Sequence, residues 1–347
     1  MADIDSRNAR LATYTQTAED IKTSIKNIAN AKNISIVEGT DTPLTVLTKI
    51  NNGTVATPSG TINITSNGTV DVTNYASANV NVADVALKSM IEGDMTKFKA
   101  SDYGITKVIN APLMTIDEFD LTGVTEVGQS ALYGALATKL ILSSTTLKLN
   151  DNSFFWMNYI EDFTIGVGTN ITQLGEYTFS SFGVDRTSPS SNRFTFDLRS
   201  STFTTIPQYC FGGDSTNSSL KYCDIYLPST LTRIEGYAFT NTTYTNLFFK
   251  NIPTLASTTA KMASSGKYFF PYNQAKSAKS ATNWSNSGIV SYIYGWAEEN
   301  TFSNGDTLPA TDTGGNALTW YSNPAMTSTY QVTTVSDATK IYYCKVA

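Results

Sequence analysis

The chain contains no histidine. That absence excludes Ser-His-Asp and Cys-His catalytic arrangements, imidazole ligation of zinc, and the one side chain that titrates near neutrality without a large shift. Charge is scarce as well: Asp, Glu, Lys and Arg make up 15% of the 347 residues, and the formal net charge is −5. Nucleic-acid binding requires several cations on one face, and no cluster of Lys or Arg supplies them. There are only three cysteines, Cys210, Cys223 and Cys344. An odd number without CxxC spacing reads as buried thiols rather than a metal site or a disulfide scaffold, with a bridge between Cys210 and Cys223 left open. No apolar run reaches the roughly 18 residues that a membrane span needs, so membrane insertion is not expected. Residues 1–16, MADIDSRNARLATYTQ, lack the basic start and apolar stretch of a secretory signal.

What the chain has in abundance is Thr, Ser and Asn, with 19 Tyr and 17 Phe. Low charge with many β-branched and aromatic residues favours β structure. A nine-residue phrase organises the middle, starting at Ile105, Val124, Leu147, Ile171, Phe203 and Leu231. Its first position is always apolar, its second is Thr in five copies, and its ninth is always Leu or Phe, as in VTEVGQSAL, LKLNDNSFF, ITQLGEYTF and LTRIEGYAF. The starts lie 19, 23, 24, 32 and 28 residues apart. A period in this range belongs to a solenoid, because one such unit cannot bury its apolar face alone and must stack. The pair before the ninth residue is read as the turn. Alternating runs such as Lys139–Leu142, Asp162–Ile165, Phe194–Leu198 and Asp224–Leu227 read as one strand per repeat, forming a parallel ladder.

Leu227-Pro228 followed by Leu231, Ile234, Ala238 and Phe239 resembles the BspA-like leucine-rich repeat. The segment from Lys267 to Trp284 is similar to the strand and helix that end such arrays. The resemblance implies a solenoid that serves as a recognition surface.

Other segments flank the array. Ile4, Leu11, Tyr14, Ala18, Ile21, Ile25 and Ile28 fall on alternating three- and four-residue spacings, the heptad pattern of a helix that can form a coiled coil. Leu11, Tyr14, Ala18, Ile21, Ile25 and Ile28 are the candidate oligomerisation residues, and isoleucine at both core positions favours a trimer. Pro43 to Ile50, ended by Asn51-Asn52-Gly53, reads as a brief helix. Ile62, Ile64 and Val70, Val72 flank Asn67-Gly68, the signature of a tight hairpin, and Ala78–Val82 adds a third strand. This module resembles small β units of bacteriophage tail, baseplate and appendage proteins. Residues 84–104 read as a helix that caps the solenoid. After Tyr292-Ile293-Tyr294-Gly295-Trp296, three short strands at Leu318–Tyr321, Tyr330–Val335 and Lys340–Cys344 make a small unit expected to dock on a neighbour.

The fold expected is therefore mainly β, in four parts: an N-terminal helical anchor and linker (1–58), a small β module (59–83), a capped BspA-like solenoid (84–296) and a small C-terminal β unit (297–347). The carboxylate pairs Asp117-Glu118, Glu161-Asp162 and Glu298-Glu299 are adjacent, so strand geometry points their members apart, and none suits general acid/base work. Asp151-Asn152 and Asp214-Ser215-Thr216-Asn217 lack the spacing of a calcium loop. No catalytic residue, cofactor or metal is expected. Aromatic residues are the candidates for contact with sugar rings, with Trp320 and Tyr321 foremost because adjacent strand residues cannot face one core. The resemblances together imply a non-enzymatic phage virion protein of a head fibre, tail fibre or baseplate. It would be joined to other virion proteins through its N-terminus and would display a surface for a host glycan or protein. The alternatives are a bacterial cell-surface adhesin and, less favoured, a glycan-degrading tail enzyme.

Overall fold

The computed structural model describes residues 22–28, 61–64, 77–80, 97–103, 105–108, 116–185, 192–213, 220–256, 266–285 and 289–347. The repeats form an alternation of wall strand and shorter edge strand. In chain order, after β1 (Thr61–Ile64) and β2 (Ser77–Val80), these are β3 (Lys97–Lys99) with β4 (Lys107–Val108), β5 (Glu118–Asp120) with β6 (Glu126–Val127), and β7 (Lys139–Leu142) with β8 (Leu147–Leu149). They continue as β9 (Asp162–Ile165) with β10 (Ile171–Gln173), β11 (Phe194–Asp197) with β12 (Thr205–Ile206), β13 (Cys223–Tyr226) with β14 (Arg233–Ile234), β15 (Asn246–Phe248) with β16 (Thr254–Leu255), and finally β17 (Lys267–Pro271). The result is a parallel β-solenoid of about eight turns.

Alternation sets which residues point inward. In β7, Leu140 and Leu142 are buried while Lys139 and Ile141 are partly exposed, as period-two patterning requires. The threonine at the second repeat position has a specific task. Thr125 Oγ1 donates to Thr106 O at 3.0 Å, and Thr232 Oγ1 donates to Thr204 O at 3.1 Å. The side chain thus adds a hydrogen bond between coils beside the backbone ladder, which accounts for its recurrence. The ninth position builds the interior. Phe154, Phe179, Phe211 and Phe239 are fully buried and stack in sequence at 5.6, 5.4 and 5.2 Å between ring centroids, with the last two pairs nearly coplanar.

The copy that starts at Leu147 is one residue shorter than the phrase alignment assumed. Phe154, not Phe155, occupies the core, because the pairing of β10 with β8 slips between Ile171 and Gln173. Gly175 marks the tightness of this contact: a Cβ there would lie 2.3 Å from the backbone of Asn150 and Asp151.

Both ladders stop at the same place. The wall sheet β3-β5-β7-β9 ends before β11, and the edge sheet β10-β8-β6-β4 ends before β12. This is the longest repeat, 32 residues between Ile171 and Phe203. Aromatic packing spans the gap, with Phe163 at centroid distances of 5.1, 5.9 and 4.7 Å from Phe182, Phe194 and Phe196, beside backbone bonds such as Thr202 N–H to Ile171 O at 3.1 Å.

The array ends as expected, with β17 followed by helix α1 (Ala275–Ser280), whose Ala275 and Ala278 are buried, and Trp284, whose Nε1 donates to Pro253 O at 2.7 Å. No break follows at residue 297. β18 (Ile293–Ala297) pairs in parallel with β17, and β21 (Tyr342–Val346) pairs antiparallel with β18. β19 (Leu318–Tyr321) and β20 (Gln331–Val332) then complete the same eight-stranded sheet. The C-terminal unit is thus docked by strand addition, which removes an otherwise open ladder edge. Gly295 permits the close approach, since a Cβ there would meet Cys344 Sγ at 2.4 Å.

An ionic knot reinforces the joint. Arg199 pairs with Asp197 and Glu299 at 2.7 Å each and with Glu298 at 3.5 Å, while its guanidinium lies 5.1 Å from the Tyr226 ring centroid. Lys250 also pairs with Glu298. Burial alone would raise the Asp197 pKa, but the hydrogen bonds and charge of Arg199 outweigh it and hold the carboxyl below its ordinary value of 3.8.

One expectation changes, the reading of the cysteines as buried thiols holds, and two others fall at least partly outside the described residues. Lys97–Lys99, placed in a helical cap, is instead the first rung of the wall, with Phe98 buried beside Phe119; residues 84–96 lie outside the described residues. Strand β1 pairs in parallel with β2, register Thr61 to Ser77, and the Asn67-Gly68 turn with its far arm lies outside the described residues. A parallel pair cannot be closed by a two-residue turn. Cys210, Cys223 and Cys344 are all buried free thiols, so the open question of a Cys210 to Cys223 bridge is resolved against it. The brief helix read at Pro43–Ile50 lies outside the described residues.

Two outcomes test this account. Phe211→Ala should destabilise the protein by about 3–5 kcal/mol, the usual scale for an excavated aromatic core, read from urea denaturation. A loss under about 1 kcal/mol would contradict the stacked interior. The second concerns acid. Because the Asp197 pKa is depressed in the folded state, its contribution is fully present above the unfolded value and is lost as pH falls through the folded one. The urea midpoint should therefore fall between pH 5 and pH 3 by more in the native protein than in Arg199→Met, and equal slopes would dismiss the knot.

Candidate recognition surface

The third side of each coil, after the edge strand, carries no regular structure but a repeated backbone device. Ser130, Asn152, Tyr177, Tyr209 and Tyr237 have φ of 53°, 57°, 56°, 55° and 62°, in the left-handed region. For tyrosine this backbone is disfavoured by about 1–2 kcal/mol. Here the chain turns just before the buried Phe, as the position of the repeat phrase predicts.

Stacking accompanies the strain. Tyr177 and Tyr209 lie 4.8 Å apart at 12°, and Tyr209 and Tyr237 lie 5.3 Å apart at 9°. Phe155, displaced from the core by the register slip, joins this line at 5.6 Å from Tyr177, and Tyr133 follows edge-on at 5.3 Å from Phe155. The rings Tyr133, Phe155, Tyr177, Tyr209 and Tyr237 therefore run along successive coils, each partly exposed.

Trp156 stands at one end of this row. It lies 5.7 Å from Tyr133 and 5.5 Å from Phe155, and it remains 50% exposed, as does Tyr159. Four residues beyond the first left-handed position comes a second one, filled by Gly134, Trp156, Ser181 and Asn241 with φ of 64°, 64°, 58° and 59°. Glycine and asparagine suit that backbone; tryptophan does not.

The surface is almost uncharged. Residues 128–137, 149–160, 174–184, 206–213 and 234–242, which make up this side, contain Asp151, Glu176 and Glu235 and not one Lys or Arg. Asp151 Oδ1 accepts the Glu176 backbone N–H at 2.8 Å, and Glu235 pairs with Arg233 of the edge strand.

The sites chosen from sequence fare differently. Trp320 and Tyr321 do face opposite sides of their strand, but both sides are covered: the residues are 3% and 6% exposed. Trp320 packs on Tyr272 and Phe302 and donates from Nε1 to Pro309 O at 2.7 Å. Tyr321 belongs to a separate cluster with Phe248, Phe269, Trp296, Met326 and Tyr343. Neither ring is open to stack on a sugar, so this assignment is corrected. Leu11, Tyr14, Ala18 and Ile21 lie outside the described residues. Ile25 and Ile28 fall three apart in a helix over residues 22–28, hence on one face, and both are partly exposed.

The acidic pairs are engaged in ion pairs. Lys139 lies 3.4 Å from Glu118 and 3.8 Å from Asp162, and Glu298 and Glu299 hold Arg199. Among the described residues no group of three or more Cys, Asp or Glu could hold a metal ion; residues 214–217 lie outside them.

Sequence reasoning missed Trp156, although a signal existed. With the Leu147 copy shifted by one residue, Trp156 aligns with Gly134, Ser181 and Asn241, where a tryptophan is conspicuous.

A search of curated proteins finds no match. Residues 115–260 match the family described as BspA type Leucine rich repeat region, in six copies, and repeats of this kind suggest surface adhesion or recognition.

Proposed function

We propose that the protein is a non-enzymatic bacteriophage virion component, part of a head fibre, tail fibre or baseplate, whose solenoid serves attachment to the host surface. The observation that carries the attachment role is the repeat region itself, with a partly exposed aromatic row running along one side of it. The likeness of residues 59–83 to phage appendage modules supports the virion assignment. In this reading the N-terminal heptads join copies into a trimer and anchor them to other virion proteins, while the array and the C-terminal strands face outward. Avidity from three copies would then offset modest affinity per copy.

Immunogold electron microscopy with an antibody to the purified protein is the direct test. Label on particles is the expected result; label on bacterial surfaces without particles would favour the adhesin reading. Self-association is tested by sedimentation of the full chain beside Ile25→Asp. The native chain should run as a trimer and the variant as a smaller species, because a carboxylate at a heptad core position is left unpaired on burial. A native chain that sediments as a monomer would remove the oligomerisation role from Leu11, Tyr14, Ala18, Ile21, Ile25 and Ile28.

A further inference from the structure

We infer that Trp156, held by Tyr133 and Phe155, is a binding platform for the apolar face of a sugar ring in a neutral glycan. The inference rests on the attachment reading above and deepens it by naming a site and a ligand class.

Three observations carry it. The first is backbone strain at an exposed position. Trp156 takes a left-handed backbone that Gly134, Ser181 and Asn241 take in other coils, and half its surface stays in water. The solenoid accommodates glycine at this position, so stacking of coils does not require the indole. A strained, exposed and bulky residue is the pattern expected of a contact residue.

The second is the arrangement of the rings. Trp156 is tilted 36° to Tyr133 and 50° to Phe155, so its neighbours fix the indole while leaving it half open. Carbohydrate C–H groups are weakly positive and pack against the negative face of an aromatic ring. The step from Phe155 to Tyr177 and on to Tyr209 and Tyr237, at 5.6, 4.8 and 5.3 Å, is close to the length of one pyranose residue. A glycan chain lying along this side therefore meets an aromatic edge at each unit.

The third is charge. With no Lys or Arg among the described residues of this side, no described cation concentrates a polyanion there, and phosphate- or uronate-rich polymers are disfavoured. The polar groups present include the amides of Asn152 and Gln208, which hydrogen-bond to hydroxyls without a charge requirement.

The test uses the full chain and exploits an inequality among its tryptophans. Trp156 is 50% exposed, whereas Trp284, Trp296 and Trp320 are 0%, 2% and 3% exposed. Quenching of indole fluorescence by acrylamide therefore reports mainly on Trp156. The probes are dextran, mannan, galactan and β-glucan as neutral polysaccharides, alginate as a polyanion, and polyproline as an aromatic-binding peptide. The expected result is that at least one neutral polysaccharide shields the protein from acrylamide, and that Trp156→Gly weakens its retention in affinity gel electrophoresis by about tenfold or more. The variant should keep its unfolding midpoint, because glycine suits the backbone there. Trp320→Phe, a change in the buried interior, should leave retention unaltered.

The inference is overturned if none of the neutral polysaccharides shields Trp156, if Trp156→Gly binds as tightly as the native protein, or if polyproline or alginate alone gives protection. Its fate is separable from that of the attachment reading. Particles carrying Trp156→Gly that still bind host cells would remove the site and leave the attachment role standing. Sugar binding intact in a protein absent from particles would do the reverse.

Discussion

Everything in this molecule depends on the fit of one coil upon the next. A solenoid has no central core shared by distant segments; each turn is stabilised by its two neighbours, so any misfit is felt locally and cannot be averaged away. Two sets of contacts supply the fit. Backbone and threonine hydrogen bonds tie the walls, and stacked phenylalanines tie the interior. Where the longest repeat separates β9 from β11 and the ladders lapse, Phe163, Phe182, Phe194 and Phe196 pack across the gap beside the coil-to-coil bonds that remain, among them Thr202 N–H to Ile171 O at 3.1 Å and Phe179 N–H to Cys210 O at 2.7 Å. Non-directional burial tolerates an insertion that directional hydrogen bonding does not.

The far end of the array follows from the same constraint. A parallel ladder that simply stopped would leave unpaired backbone groups and an apolar face. Here β18 accepts an antiparallel strand, and the aromatic residues on the outer face of the last coils are covered by Tyr321, Met326 and Tyr343. The Arg199 knot adds charge pairing across the joint, with partners that are partly exposed and so individually weak. Strand addition carries the attachment of this unit, and the ion pairs fix its register.

The repeat was legible because its constraints are local in sequence. Threonine at the second position and phenylalanine at the ninth each answer to the same site in the adjacent coil, so they recur. Register was less legible. The one-residue slip after Leu147 leaves the apolar pattern intact, since Phe154 and Phe155 are adjacent and alike; only contact with Phe179 distinguishes them. Trp320 and Tyr321 were misjudged for a different reason. Reading alternation as one buried and one wet face holds for a sheet with a single core, whereas this sheet has a hydrophobic cluster on both sides. The partner of β1 was likewise beyond a local rule: Asn67-Gly68 signals a hairpin, but pairing with Ser77–Val80 is a choice made between more distant segments.

The placement of strain ties the fold to recognition. The tyrosines with left-handed backbones all lie outside the wall and edge strands, with Tyr177, Tyr209 and Tyr237 on the third side and Tyr222 and Tyr244 next to the wall. They stack ring on ring there, at 4.8 and 5.3 Å in the first set and 4.6 Å in the second. In the walls, a left-handed residue would interrupt the hydrogen-bonded ladder and two coils would part. On the third side the left-handed residues still donate from coil to coil, Asn152 N–H to Glu176 O at 2.8 Å and Trp156 N–H to Ser180 O at 3.2 Å, and ring contacts offset part of the backbone cost. This leaves the outward-facing residue of each coil free to vary without disturbing the walls. Trp156 takes that freedom furthest: it occupies a glycine-compatible corner, packs on the rings of Tyr133 and Phe155, and exposes half its area, more than the stacking of coils asks of that position.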